Sequence, residues 1–95
     1  MKKEIIQWAK DRGLLHLSNA HAQTCKLLEE SGELAVAILK NNHEQIVDAI
    51  GDIQVVLIIL SEQLGVDYDN CLEVAYDQIK NRKGKMINGS FVKEN

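Results

Sequence analysis

The sequence predicts an all-α protein: a bundle of about four helices around a central antiparallel helix hairpin, completed by oligomerisation. Three observations carry this. The chain contains no proline, and no segment alternates cleanly as a strand, so helical periodicity runs with few interruptions. Residues 29–57, EESGELAVAILKNNHEQIVDAIGDIQVVL, hold two helical patterns separated only by a short break at Asn41 and Asn42, which sets the two helices antiparallel. From Ile53 to Leu60 only Gln54 is polar. A helix apolar nearly all round must be buried on most sides, and a four-helix monomer cannot easily cover every face of it. A second subunit is therefore expected, partly burying Val55, Val56, Ile58 and Ile59.

The elements follow in order. Ile5, Trp8 and Ala9 recur at helical spacing through residues 2–12, and Gly13 suits the stop. The loop LLHLSN leads to Ser18 or Asn19 as the N-cap of a second helix, about 19 to 40. Asn42 caps the third, with Gln45 at the capping-box position; it runs to about Leu64 and Gly65 ends it. Asp67 caps a fourth helix from about 68 to 82. The tail KGKMINGSFVKEN reads as irregular, with Asn88-Gly89 as a turn signal. Residues 1–95 are read as a single domain.

Composition narrows the function. Ninety-five residues with 45% hydrophobic content make one core, and 4% aromatics make it aliphatic. A chain this short buries only about 60–65% of its unfolded surface, which favours pairing with another copy. The net charge of −3 argues against a nucleic-acid surface. The N-terminus MKKEIIQWAK is too polar for a signal peptide, and no apolar run reaches the roughly 18 residues of a membrane span. A cytoplasmic protein without a membrane partner is expected. Cys25 and Cys71 lack any CxxC spacing and are expected as small buried thiols. His16, His21 and His43 show no ligand spacing.

The informative residues are acids. Glu30 and Glu33 share one helix face, with Glu29 four residues before Glu33; Asp48 and Asp52 share one face of the next helix. About a turn near 41–42, Glu33 falls opposite position 50 and Glu30 opposite 53, so the acids lie at one level. Gly32 and Gly51 fall there too, where a missing side chain would let the backbones approach. Asp is a poor mid-helix residue, and like charges this close repel and raise pKa values unless a cation intervenes. A solvated acidic face is the plain alternative. An all-oxygen set points to Mg²⁺, with Mn²⁺ as second choice, rather than zinc.

EESGEL followed by DAIGDIQVVL resembles the MazG-like, all-α nucleoside triphosphate pyrophosphohydrolases, whose pattern is EExxE on one helix and ExxD on the next. Glu29, Glu30 and Glu33 match the first part and Asp52 the final Asp. The expected Glu three residues before Asp52 is Ala49 here, and Asp48 stands one residue earlier as a shorter substitute. WAKDRGL, Gln23 and Lys26 before the acids, and IKNRKGKM near the end extend the resemblance to small, phage-type members. It implies Mg²⁺-dependent cleavage of a nucleoside triphosphate between the α- and β-phosphates, with Glu30, Glu33 and Asp52 as metal ligands, Asp48 assisting and Glu29 orienting water as base. Lys80, Asn81, Arg82, Lys83 and Lys85, with Lys26, would clamp phosphates, Gln23 would also bind substrate, and Trp8 would stack on a base. For the cluster at 80–85 a solvated tail, and for Trp8 a core or interface anchor, are the plain alternatives. Two other functions stay open: a nucleotide-binding or regulatory module without turnover, which Ala49 would permit, and a helical interaction protein with solvated acids.

Overall fold

The structure, a computed structural model, describes residues 1–94. Four helices are followed by a small hairpin: α1 (Lys2–Asp11), α2 (Ala20–Leu39), α3 (His43–Leu64), α4 (Tyr68–Ile79), β1 (Gly84–Ile87) and β2 (Ser90–Lys93). The local chemistry of each boundary is that expected from the caps. The side chains of Asn19, Asn42 and Asp67 accept from the backbone N–H groups of Ala22, Gln45 and Asn70, satisfying one orphan donor at each helix start. Gly13 and Gly65 end α1 and α3 with φ of +76° and +72°, a left-handed conformation that glycine adopts without a steric penalty.

α2 and α3 pack as the central antiparallel hairpin, and α1 packs on α3. The core is accordingly small and aliphatic: Ala9, Ala37, Ala49, Val56, Ile58 and Ile59 are buried. Long-range hydrogen bonds pin the periphery. Gln63 Nε2 donates to the Leu14 carbonyl at 3.1 Å, and Lys2 Nζ reaches Asp67 and Asp69 at 3.0 and 2.7 Å.

Four features differ from the sequence-based expectation. First, the tail is not irregular. Gly84–Ile87 and Ser90–Lys93 pair antiparallel across Asn88 and Gly89, whose φ values of +51° and +82° make the two-residue turn with both central φ positive that matches strand twist. Both strands are exposed along their whole length, so no buried face imposes the alternation that marks a strand in sequence. Second, α1 and α2 already cover most of α3's apolar run: no residue from Val55 to Leu60 is exposed, with Val55, Leu57 and Leu60 half-buried. The uncovered apolar surface is elsewhere, at Leu28 and Leu39 on α2, Ile50 on α3, and Leu72 and Tyr76 on α4. Third, Cys25 and Cys71 are exposed, not buried; they sit on parts of α2 and α4 that no other element covers. Fourth, a Cβ added at Gly32 or Gly51 would meet nothing within 4 Å, so neither glycine serves close backbone approach.

α4 leaves the end of α3 at 104°. Among the described residues its backbone lies against α3 alone, with the Lys2–Asp69 ion pair as its one link to α1, and the β-hairpin packs on no helix. Every residue from Asp69 to Glu94 is exposed. The radius of gyration, 16.1 Å, exceeds the value near 12 Å expected of a compact chain of this length. No single helix is long and apolar enough to cross a membrane.

Candidate functional site

The helix hairpin does bring the acids to one level. Glu29, Glu33 and Asp48 line a cleft of about 630 Å³ between α2 and α3, together with Gly32, Val36, Lys40, Gln45 and Ala49. Glu30 lies beside it and is 5% exposed. Burial first, then the neighbouring Glu33, push its carboxyl above the ordinary range. Asp52, one turn along α3 from Asp48, is raised in the same direction: by burial first, then by the charges of Asp48 and Glu30. Four of the five acids thus form two close pairs, Glu30 with Glu33 and Asp48 with Asp52, joined electrostatically through Glu30 and Asp52; Glu29 faces Lys26.

One positive group already sits among them. Lys26 Nζ lies 3.5 Å from Glu30 Oε1 and 3.7 Å from Glu29 Oε1, and the pull of Glu29, Glu30 and Glu33 raises its own pKa. It satisfies one oxygen of Glu30 only. The other, Oε2, is buried without a hydrogen-bond partner. Such an orphan costs about 1–3 kcal/mol or more when charged, and a cation is the partner its chemistry fits. Among the described residues no three His, Cys, Asp or Glu side chains converge as a finished ligand shell. The donor set suits a hard divalent ion, with side-chain movement needed to close around it.

Ala49, where a Glu was expected from the resemblance, is 4% exposed and lines the same cleft as Asp48. Positions 48 and 49 therefore both address it. Gln23 is nearly buried on α2, two turns before Glu30.

The basic cluster is not brought to the acids. Asn81, Arg82 and Lys83 line a separate cleft with Gln78, Lys93 and Glu94, Lys80 pairs with Asp77 at 3.1 Å, and Lys85 is exposed on β1. Within one protomer the expected clamp is thus split between two regions that do not touch. Trp8, on α1, is 44% exposed and lines a third depression with Glu4, Ile5, Asp52 and Val55. Sequence reasoning missed Glu4 and Val55 as neighbours of Trp8. Helical spacing put Ile5 with Trp8, and the i, i+4 relation of Glu4 to Trp8 is the signal that could have added Glu4; only tertiary packing adds Val55 of α3.

Residues 22–91 match the MazG-like family. The chain is 46% identical over 65 residues to an uncharacterized 18.2 kDa protein from the rep–hol intergenic region of Haemophilus phage HP1. The match covers 68% of this chain and 40% of that relative, so the chain spans well under half the relative's length. No solved structure matches significantly. The family match runs from α2 to β2 and contains every acid of the cleft: the chain belongs to the MazG-like family.

Proposed function

We propose that the protein hydrolyses a nucleoside triphosphate to the monophosphate and pyrophosphate, with Mg²⁺ as cofactor and nucleotide-pool house-cleaning as its role. The observation that carries the reading is Glu30: a buried carboxylate with an unpartnered oxygen, next to Glu33 and beside the acidic cleft. Family membership supports it. Glu30, Glu33 and Asp52, with Asp48, would hold the ion, which when bound supplies positive charge against the phosphate oxygens. Glu29, at the rim and paired only loosely with Lys26, orients a water and accepts its proton. The water oxygen bonds to phosphorus as the bond to the departing pyrophosphate breaks. Lys26 offers a cation from the same wall, and Gln23 steadies the buried side of α2 behind it.

Lys80, Asn81, Arg82, Lys83 and Lys85 enter this scheme only across a subunit boundary, since their own protomer keeps them from its acids. A homo-oligomer, dimer or tetramer, accounts for this and for the exposed apolar side chains of α4. At micromolar concentration the protein is expected to sediment heavier than its 10.7 kDa chain mass; a monomer alone removes the assembly from the scheme.

The decisive experiment is a panel of ribo- and deoxyribonucleoside triphosphates incubated with and without Mg²⁺ and read as pyrophosphate release. Release that requires Mg²⁺ and is lost in Glu33→Gln supports hydrolysis. The absence of a carboxylate at Ala49 favours a second reading, a nucleotide-binding module without turnover; saturable binding with no pyrophosphate under any condition selects it.

A further inference from the structure

Asp52 stands at a junction. It lies one turn along α3 from Asp48, which lines the acidic cleft, and it forms a wall of the depression of about 420 Å³ lined by Glu4, Ile5, Trp8 and Val55. Next to the acids that would meet a triphosphate's phosphates there is therefore a hollow with aliphatic lining and an aromatic wall. We propose that this hollow takes the nucleobase and that Glu4 selects bases presenting two adjacent N–H donors, the guanine class. The proposal rests on the hydrolase reading for the position of the phosphates.

Trp8 is prepared for stacking. The Arg12 guanidinium lies 4.5 Å from its ring centroid. Arg12 lines the neighbouring hollow with Lys3, Gln7 and Asp11, and not the one with Asp52. Glu4 and Trp8 line both hollows; the cation–π contact with Arg12 steadies the ring, and Ile5, Asp52 and Val55 belong to the first hollow alone. Base stacking on an aromatic wall is tolerant of base identity, since every base has a π-face. Selection must come from a polar group at the base edge.

Glu4 is the polar group of this hollow other than Asp52. An ionised carboxylate is acceptor-only, with two oxygens. Guanine presents N1–H and the N2 amino group side by side, so both oxygens find donors in a bidentate pair. Adenine and cytosine offer one amino group beside a ring nitrogen acceptor, and uracil one N–H between two carbonyls; each sets a lone pair against the carboxylate. Glu4 Oε2 now accepts from the Met1 ammonium at 2.8 Å, with both groups well exposed. An exposed pair of this kind is weak and exchanges readily, so a better-matched edge can displace it.

Trp8 is the sole tryptophan, which makes its fluorescence a reporter of this hollow. The full-length protein is titrated with GMP, AMP, CMP and UMP, while Mg²⁺-dependent pyrophosphate release from the four triphosphates is measured in parallel. Saturable quenching is expected, tightest for GMP by about tenfold. Glu4→Gln should weaken GMP about tenfold and leave the other three within about twofold; on hydrolysis it should raise KM for GTP and leave kcat nearly unchanged. Hydrolysis without nucleotide-dependent quenching, or an unchanged base profile in Glu4→Gln, overturns the assignment while leaving the hydrolase intact. Trp8 emission that follows protein concentration but not nucleotide also overturns it, because a second copy then fills the hollow. Guanine-selective quenching without any pyrophosphate release supports the hollow and refutes the hydrolase.

Discussion

The hairpin of α2 and α3 and the segment from α4 to β2 obey opposite rules. In the first, helix caps, a packed aliphatic core and short connections agree, although Leu28, Leu39 and Ile50 stay outside that core, and the buried exceptions are acids: Glu30 is driven to 5% exposure with one oxygen unpartnered, and Asp52 is held beside Asp48. In the second, Asp67 caps α4 correctly, yet among the described residues from Asp69 onward nothing is buried. Leu72 and Tyr76 are left 64% and 61% exposed. The contrast separates two demands on one small chain. Where buried charge is retained at a cost, a ligand is the economical explanation; where apolar surface is retained without cover, a partner is.

The largest expected effect would break the first half of that contrast. Glu33→Gln and Asp52→Asn should each lower Mg²⁺-dependent pyrophosphate release at least about 100-fold, the scale of several kcal/mol of metal-supplied stabilisation. Arg82→Ala combined with Lys83→Ala should also fall steeply. If the basic cluster acts across a subunit boundary, mixing this variant with Glu33→Gln restores part of the parent rate, because one site of a mixed pair is intact. No recovery on mixing, with assembly preserved, would return the cluster to a solvated tail.

Next comes stability. An ion bound only by the folded chain at 100 times its Kd adds about 2.7 kcal/mol, so millimolar Mg²⁺ should raise Tm, and Glu33→Gln should lose most of the rise. The pH dependence has a definite sign. Glu30 and Asp52 have folded pKa values raised above 4.5 and 3.8. Their contribution is therefore fully present below those values and lost as pH rises through the raised ones, because the folded state there binds more protons than the unfolded. Metal-free protein should gain stability from these groups on going from neutrality toward pH 4.5. Glu4 and Asp67, with lowered pKa values, lose theirs only below that window. Thermal melts from pH 7.5 to 4.5, with and without Mg²⁺, check this; a gain that Mg²⁺ leaves unchanged would mean that the ion does not meet these carboxylates.

A smaller change tests Ala49. Asp48 and Ala49 line one cleft, so Asp48→Asn should cut hydrolysis by about tenfold or more, roughly 1.4 kcal/mol, and Ala49→Glu in that background should recover part of it. Ala49 is nearly buried, so the new carboxylate must reach into the cleft to be tolerated; kinetics together with far-UV circular dichroism separates rescue from unfolding. A rate within about twofold of the parent for Asp48→Asn, under roughly 0.4 kcal/mol, removes Asp48 from the ligands.

Most of the fold was legible because its signals are local. The asparagine, aspartate and glycine caps fixed three helix starts and two ends, and the apolar spacing of Ile53–Leu60 marked α3 as central. The acids were legible because their i, i+3 and i+4 spacing and the short turn at Asn41 set their level. What escaped depended on contacts between distant segments or on their absence. β1 and β2 carry no buried face to write alternation into the sequence, and α3's cover by α1 could not be read from α3 alone. Cys25 and Cys71 have the usual chemistry of buried residues but lie where nothing packs. Composition brought the basic residues 80–85 to the acids; the 104° turn into α4 carries them away.

The smallest expected effect sharpens the contrast at the two glycines. Gly32 and Gly51 lie inside helices, and a methyl group at either meets open space within the protomer. Glycine in a helix interior costs about 0.5–1 kcal/mol relative to alanine, so each Gly→Ala change should raise Tm by a few degrees for a domain of this size. The two should differ in everything else. Gly32 lines the acidic cleft, so Gly32→Ala should raise KM for the triphosphate while leaving assembly unchanged. Gly51 lines no part of that cleft and neighbours the exposed Ile50. If a second copy lies against this stretch of α3, Gly51→Ala weakens self-association, seen as a shift toward the monomer in sedimentation, and its stabilisation appears only in the dissociated protein. A gain in Tm with unchanged sedimentation would locate the assembly surface away from α3's first half and leave α4, with Leu72 and Tyr76, as the face that meets the partner.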